Sequence, residues 1–270
     1  MHVSWSELYW QRLTPLHAIL WPLSIIFELS FKLKRTAYHY GLLATTRYPI
    51  PLIIVDGITV NGIEKSALTI WLVNFLSSNG LRPAVITCSY SDNYQEFPTE
   101  VTTSSDKTQV GDNALFLAFH CSKQNCPVWI GQDSSTVGLD LLKANPDRNV
   151  LICDGGLHDY RLHRDLEILV LDTDKYYFGN GFTLPAGPLR DNLTRLNFAD
   201  AIVLNEKNRQ SFDQVDSSKI YYVKTNSSEF INHYHTSDYL KKITTTGQKS
   251  HAIASNRFSR RFYDQLSYLN

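Results

Sequence analysis

Residues 51–78 read PLIIVDGITVNGIEKSALTIWLVNFLSS. The opening run, Pro51–Asp56, is short, rich in Val and Ile and unbroken by polar residues until its end. Such a run predicts a strand buried on both faces, as in a parallel sheet. Ser66–Ser78 is apolar almost all round and stops at Asn79-Gly80, a helix terminator. Between them lies a loop with two glycines that ends in Lys65-Ser66. Strand, glycine-containing loop, Lys-Ser, helix is the layout of a phosphate-binding loop. Backbone N–H groups and the helix amino end would face the phosphates, the lysine would reach the β/γ-phosphates, and the hydroxyl would hold Mg²⁺. The strict pattern Gly-x-x-x-x-Gly-Lys-[Ser/Thr] is broken twice, by Thr59 and by Glu64. A carboxylate about 5 Å from one phosphate charge costs roughly 3 kcal/mol at an effective dielectric near 20. An ordinary strand–turn–helix connection with an exposed Lys-Ser is the competing reading of the loop.

Similar apolar runs recur at Pro83–Cys88, Pro127–Gly131, Asn149–Asp154, Glu167–Asp172 and Ala201–Asn205. Helical stretches at Asp112–Phe119 and Val137–Ala144 alternate with them. Alternation of this kind predicts an α/β fold with a mostly parallel, doubly wound sheet. Ser89–Gln109 is polar and reads as a loop. Asn205–Ser250 is polar too, with Ile220–Val223 as its clear strand, which suggests a smaller α/β part from residue 205 onward. The expected division is 1–48, an amino-terminal helical segment; 49–204, the α/β core; and 205–270, the smaller part.

The chain has 270 residues, 43% of them apolar, so it can bury a sizeable core and bulk disorder is excluded. Lys+Arg and Asp+Glu both number 26, and no basic run stands out, so a nucleic-acid partner is not expected. Four cysteines in a chain this long do not form a disulfide scaffold, and His120, Cys121 and Cys126 lack the second ligand pair of a zinc site.

Leu13–Phe31, LTPLHAILWPLSIIFELSF, is nearly long enough to span a bilayer but carries Pro15, His17, Pro22 and Glu28. Trp5, Tyr9, Trp10 and Trp21 lie in or before it, and Lys32, Lys34 and Arg35 follow. Apolar face, interfacial aromatics and basic flank suit a helix lying on an anionic membrane surface. A helix packed on the domain it precedes is a second reading, and a spanning helix a third.

In a parallel sheet, ligands bind beyond the carboxyl ends of the strands. Asp154 ends the run NVLICD and is placed to hold the metal partnered by Lys65-Ser66, or else to cap a turn. His158 and Asp159 follow closely. Asp112 opens a helix after Gly111, where an amino cap is the plain reading. The turn cluster 179–190 contributes one arginine, Arg190.

Taken together these pieces resemble the tetraacyldisaccharide 4'-kinase family, the lipid A kinases. The resemblance is carried by RYPIPLIIVDGITVNGIEKSALTIWL at 47–72, VGDNALFLA at 110–118, ICDGGLHDYRLHRDLEILVLD at 152–172, FGNGFTLPAGPLRDNLTRL at 178–196 and HAIASNRFSRRFYDQL at 251–266. It implies a P-loop NTPase-like core plus a smaller carboxy-terminal α/β domain. It also implies a monomeric, monotopic enzyme on the cytoplasmic face of the inner membrane. That enzyme would move the γ-phosphoryl of ATP, with Mg²⁺, to the 4'-hydroxyl of tetraacyldisaccharide 1-phosphate. On the resemblance Thr59, Val60, Asn61, Gly62, Ile63, Glu64, Lys65 and Ser66 form the ATP loop. Asp112 matches the family's base, Ser66 and Asp154 the metal-holding pair, and His158, Asp159 and Arg190 are candidate substrate or phosphate contacts.

The departures concentrate in the chemical positions. Asn61 and Glu64 replace glycines, Asn113 replaces a glutamate, Gly155 replaces a second aspartate, and His158-Asp159 stands for Gln-His. A Phe-Pro-Asp-His segment typical of the family does not occur before Asn270, so the resemblance is to a carboxy-terminally short member. Two readings follow: a divergent lipid A kinase, or a catalytically impaired membrane-surface relative of it.

Overall fold

The apolar runs assemble into one eight-stranded sheet in a computed structural model that describes residues 10, 14–60, 65–87, 98–171, 178–205 and 216–223. The strands are β1 (Leu52–Asp56), β2 (Pro83–Thr87), β3 (Thr99–Val101), β4 (Val128–Ile130), β5 (Val150–Asp154), β6 (Leu166–Leu171), β7 (Ala201–Asn205) and β8 (Ile220–Val223). Their order is β3-β4-β2-β5-β1-β6-β7-β8, and every neighbouring pair is parallel except β3–β4. β1, β2 and β5 are buried at every position, which is why they are continuously apolar.

The α-helices are α1 (Pro15–His39), α2 (Lys65–Ser78), α3 (Lys107–Cys121) and α4 (Ser134–Ala144). α2 and α3 cover one face of the sheet, with Leu68, Leu72, Val73, Ala114 and Leu117 packed on Ile53, Val55, Val85 and Ile152. α4 covers the other face with Val137 and Leu141 against Leu52, Ile54, Ala84 and Ile86. α2 ends as its sequence predicts: the Leu81 N–H closes on the Leu76 carbonyl at 3.0 Å, just past Asn79-Gly80.

Two expectations change. The polar stretch 89–109 is not all loop: Thr99–Val101 forms an antiparallel edge strand and α3 starts at Lys107, capped by the Asp106 carboxylate on the Thr108 N–H. The edge position accounts for the polar sequence, since only one of its sides is hydrogen-bonded. α3 also kinks at Gly111, whose φ of +78° suits glycine, so its longer segment begins at Asp112 as the sequence indicates. Ile220–Val223, the strand expected in the carboxy-terminal segment, pairs in parallel with β7 as the outermost strand of the same sheet.

The described residues belong to one unit, Tyr9–Val223; a second unit, Met1–Leu8 with Lys224–Asn270, lies outside them. Asn61, Gly62, Ile63 and Glu64 of the expected ATP loop, and the 251–266 stretch, also lie outside the described residues.

α1 is long and apolar enough, by length and composition alone, to cross a membrane, yet it carries a polar seam. His17 and Ser24 are buried along that seam, whereas Ile19, Ile26 and Leu33 are 70%, 63% and 69% exposed. The surface-lying and packed readings of the segment therefore each have a structural counterpart: one face is packed on the domain, and the other presents apolar side chains outward.

Candidate active site

The carboxyl ends of β1 and β5 lie side by side, with Val55 opposite Asp154 in the register. Side chains alternate along a strand, so Val55 and Asp154 point to the α2 face while Asp56 points to the opposite one. The two carboxylates thus flank the sheet edge from opposite sides.

Asp154 is wholly buried and meets the first two turns of α2. Its Oδ2 accepts from the Ser66 hydroxyl at 3.1 Å and the Asn113 amide at 2.7 Å, and its Oδ1 accepts from the Thr69 hydroxyl at 3.1 Å. Lys65 Nζ lies 4.0 Å from Oδ2. The Ser66 hydroxyl also faces Asn113 Oδ1 at 2.6 Å. Its one proton serves either acceptor, so Ser66, Asn113 and Asp154 close a triangle.

Asp56 is equally buried. It accepts from the Gly57 N–H at 2.8 Å, the Leu157 N–H at 3.0 Å and Arg190 Nη1 at 3.2 Å. Burial alone would push its carboxyl up, but Arg190, Lys65 and the two amides outweigh it and hold the group below the ordinary carboxylate range. Lys65 therefore stands between two carboxylates, and Lys65 and Arg190 balance Asp56 and Asp154.

Arg190 Nη2 lies 3.4 Å from His158 Nδ1, and His158 Nε2 lies 3.4 Å from Asp191 Oδ2. Asp191 is held below its ordinary value because its contacts with His158 and the Asn192 N–H outweigh burial. The Phe31 ring of α1 covers His158 with ring centres 4.5 Å apart. Asp159 is committed elsewhere: Arg161 grips both its oxygens at 2.7 and 2.9 Å.

The structure thus brings Lys65, Ser66 and Asp154 together and places Arg190 and His158 on the other side of β1. Thr59 is buried and bridged to Leu189, and the Val60 N–H bonds the Pro188 carbonyl at 3.0 Å, so these two loop residues are tied to the 183–190 segment. Asp112 is not drawn into the cluster. Its side chain is 75% exposed and pairs with Lys107 at 2.8 Å. Its neighbour Asn113 reaches in instead. Asn113, Thr69 and Asp56 were not singled out as site residues from sequence; the signals available were the position of Asn113 beside Asp112, the spacing of Thr69 one turn after Ser66, and the strand-end place of Asp56.

Among the described residues no group of three or more His, Cys, Asp or Glu side chains could hold a metal. A hydroxyl beside one buried carboxylate does fit Mg²⁺, which keeps most of its ligands as water and substrate phosphate. Ser66 and Asp154 are the residues that would hold it.

A parallel α/β sheet with a Lys-Ser helix start at the edge of its first strand, answered by a buried aspartate on the neighbouring strand, defines a P-loop-type nucleotide-binding protein. Comparison narrows the class. The family model described as Tetraacyldisaccharide-1-P 4'-kinase (LpxK) matches residues 16–270, and the chain belongs to that family. It is similar to the tetraacyldisaccharide 4'-kinase of Nitrosomonas europaea, 39% identical over 267 residues, covering 99% of this chain and 67% of that one. It is also similar to that of Coxiella burnetii, 36% identical over 261 residues, covering 97% and 73%. A crystal structure of the "apo" form of LpxK from Aquifex aeolicus in complex with ATP superimposes with a TM-score of 0.62 at 26% identity, covering 74% of this chain and 61% of that one. The chain thus spans about two thirds of the length of the Nitrosomonas relative and less of the Aquifex protein.

Proposed function

We propose that the chain is a tetraacyldisaccharide 4'-kinase of lipid A synthesis. The acceptor's 4'-hydroxyl oxygen forms a bond to the γ-phosphorus of ATP, the bond to the β-phosphate oxygen breaks, ADP leaves, and the hydroxyl proton goes to a base. The observation that carries this reading is the Lys65–Ser66–Asp154 cluster at the edge of β1 and β5.

Residues 59–66 would cradle the triphosphate, with Lys65 offsetting charge on the transferring group. Ser66 and Asp154 would hold Mg²⁺, which supplies charge neutralisation at the β- and γ-phosphates. Among the described residues Lys65 and Arg190 are matched by Asp56 and Asp154, so a triphosphate bound here would call for a cation. Asp112, solvent-exposed at the kink before Asn113, is the base in this reading. Arg190 and His158 would face acceptor or phosphate, whereas Asp159, also a candidate contact, is paired with Arg161. α1 lies on the cytoplasmic face of the inner membrane, so the acyl chains stay in the bilayer. With Ile220–Val223 in the core sheet, the smaller α/β part would be drawn from the residues after Val223, and the chain works as a monomer.

Transfer of labelled γ-phosphate to tetraacyldisaccharide 1-phosphate by the purified, vesicle-bound chain tests it; folded protein that moves no label sinks it. One observation favours the alternative of a catalytically impaired relative. Asn113 puts a neutral amide on Asp154 where the family resemblance calls for a carboxylate. Rescue of a strain depleted of its own lipid A kinase would reject that alternative.

A further inference from the structure

Glu28 is an acid in the middle of an apolar helix, and a helix that only had to lie on a surface would not need it. Its two oxygens are both engaged, Oε1 by the Thr183 hydroxyl at 3.1 Å and Oε2 by the Asn192 amide at 3.3 Å; Lys32 is the outward counter-ion at 3.8 Å. One turn earlier the Ser24 hydroxyl donates to the Thr183 carbonyl at 2.9 Å and accepts from the Ala186 N–H at 3.0 Å. One face of α1 therefore holds both ends of the segment 183–192.

The middle of that segment is bonded to the chain leaving β1. The Val60 N–H meets the Pro188 carbonyl at 3.0 Å, and the Arg190 N–H meets the Ile58 carbonyl at 2.7 Å. Arg190 then reaches Asp56. The segment has turn bonds of its own, from the Gly187 N–H to the Thr183 carbonyl at 2.9 Å and from the Leu184 N–H to the Leu189 carbonyl at 2.8 Å, and a turn held at both ends has far fewer placements than one held at neither.

We infer that Glu28 is a positioning residue: by clamping Thr183 and Asn192 it sets the backbone of residues 58–60 and the placement of Arg190, and so the entry of the chain into the nucleotide loop at Thr59 and Val60. The nucleotide part of this inference rests on the kinase reading; the clamp itself does not.

The test uses the full chain on vesicles of phosphatidylethanolamine and phosphatidylglycerol, with Glu28→Ala and Glu28→Gln. Three quantities are read: hydrogen exchange at the Val60 and Arg190 amides, affinity for a fluorescent ATP analogue, and vesicle partition. Glu28→Ala is expected to speed exchange at both amides at least about tenfold while exchange in β5 stays within about twofold. It is also expected to weaken the analogue about tenfold with partition unchanged. Glu28→Gln keeps one acceptor and gives an intermediate effect. Unchanged protection at Val60 and Arg190 in folded Glu28→Ala overturns the inference, as does a loss spread evenly into β5. Should Glu28→Ala not fold, Glu28→Gln decides by the same comparison. If the unsubstituted protein binds no analogue while exchange at the two amides still responds to Glu28→Ala, the kinase reading falls and the clamp stands.

Discussion

The Ser66 hydroxyl and the Asp154 carboxylate sit 3.1 Å apart across the gap between α2 and β5, and Asn113 bonds both. The contact joins residues 88 positions apart in the chain. It exists because α2 begins at the residue before Ser66 and β5 ends at Asp154.

Replacing Asp154 by Ala leaves the Thr69 hydroxyl and the Asn113 amide facing a buried void without their acceptor, while the Ser66 hydroxyl keeps Asn113 Oδ1. Each orphaned buried donor costs about 1–3 kcal/mol, so a drop in melting temperature of several degrees is expected. Asp154→Asn keeps the shape but loses the charge facing Lys65. It should melt close to the parent yet, on the proposed kinase reading, lose phosphoryl transfer by about a thousandfold, since the cation would lose its carboxylate ligand. Thermal melts with a transfer assay check both; an Asp154→Asn protein with near-parental transfer would contradict the metal role.

Asp112 should behave in the opposite way to Asp154→Ala. Its ion pair with Lys107 is mostly exposed and worth under about 1 kcal/mol. Asp112→Asn should therefore leave the melting temperature unchanged while transfer falls about a hundredfold or more. Activity that survives the substitution would remove Asp112 from the base role and leave the kink at Gly111 without that chemical use.

The Asp56–Arg190 pair predicts a pH dependence. The folded-state pKa of Asp56 is below its ordinary value of 3.8, so its contribution to stability is fully present above that value and is lost as pH falls through the lower, folded value. Arg190→Met removes one of the groups holding Asp56 down, so burial regains weight and the folded-state pKa rises. The acid-unfolding midpoint should then move to higher pH than in the parent, while stability near neutrality falls because a buried carboxylate has lost a partner. Acid titrations followed by circular dichroism check the direction; a midpoint moved downward would refute it.

Much of the sheet was legible because strands buried on both faces announce themselves as continuous apolar runs, and Lys65, Ser66 and Asp154 were legible because they stand at the ends of such runs. Asp56 stands at a strand end too, but its role depends on Arg190, 134 positions away, and no local pattern encodes that pairing. Asn113 enters the site two residues after the bend of α3 at Gly111, which no apolar pattern marks, and Thr69 reads as one more residue of an apolar helix until Asp154 is opposite it. The edge strand Thr99–Val101 was missed for a related reason: it is short and half-solvated, so it carries no apolar run.

The segment that ties α1 to the nucleotide loop depends on a close backbone approach at Gly187. A Cβ built there would collide with the Phe182 carbonyl oxygen and with Asn180 Oδ1. The Phe182 carbonyl accepts from the Leu189 N–H at 3.1 Å, and Asn180 donates through Nδ2 to the Ala186 carbonyl at 2.8 Å and accepts at Oδ1 from the Phe182 N–H at 3.1 Å, so neither neighbour can retreat without straining a bond that shapes the turn. Gly187→Ala should cost about 1–3 kcal/mol, the range for forcing an extra carbon into a packed site. The strain falls next to Pro188 and Leu189, which hold Val60 and Thr59. The loss should therefore appear first as weaker ATP-analogue binding and faster exchange at the Val60 amide, with β2 and β5 protected as in the parent. A Gly187→Ala protein of parental melting temperature and parental affinity would show that this turn does not support the loop.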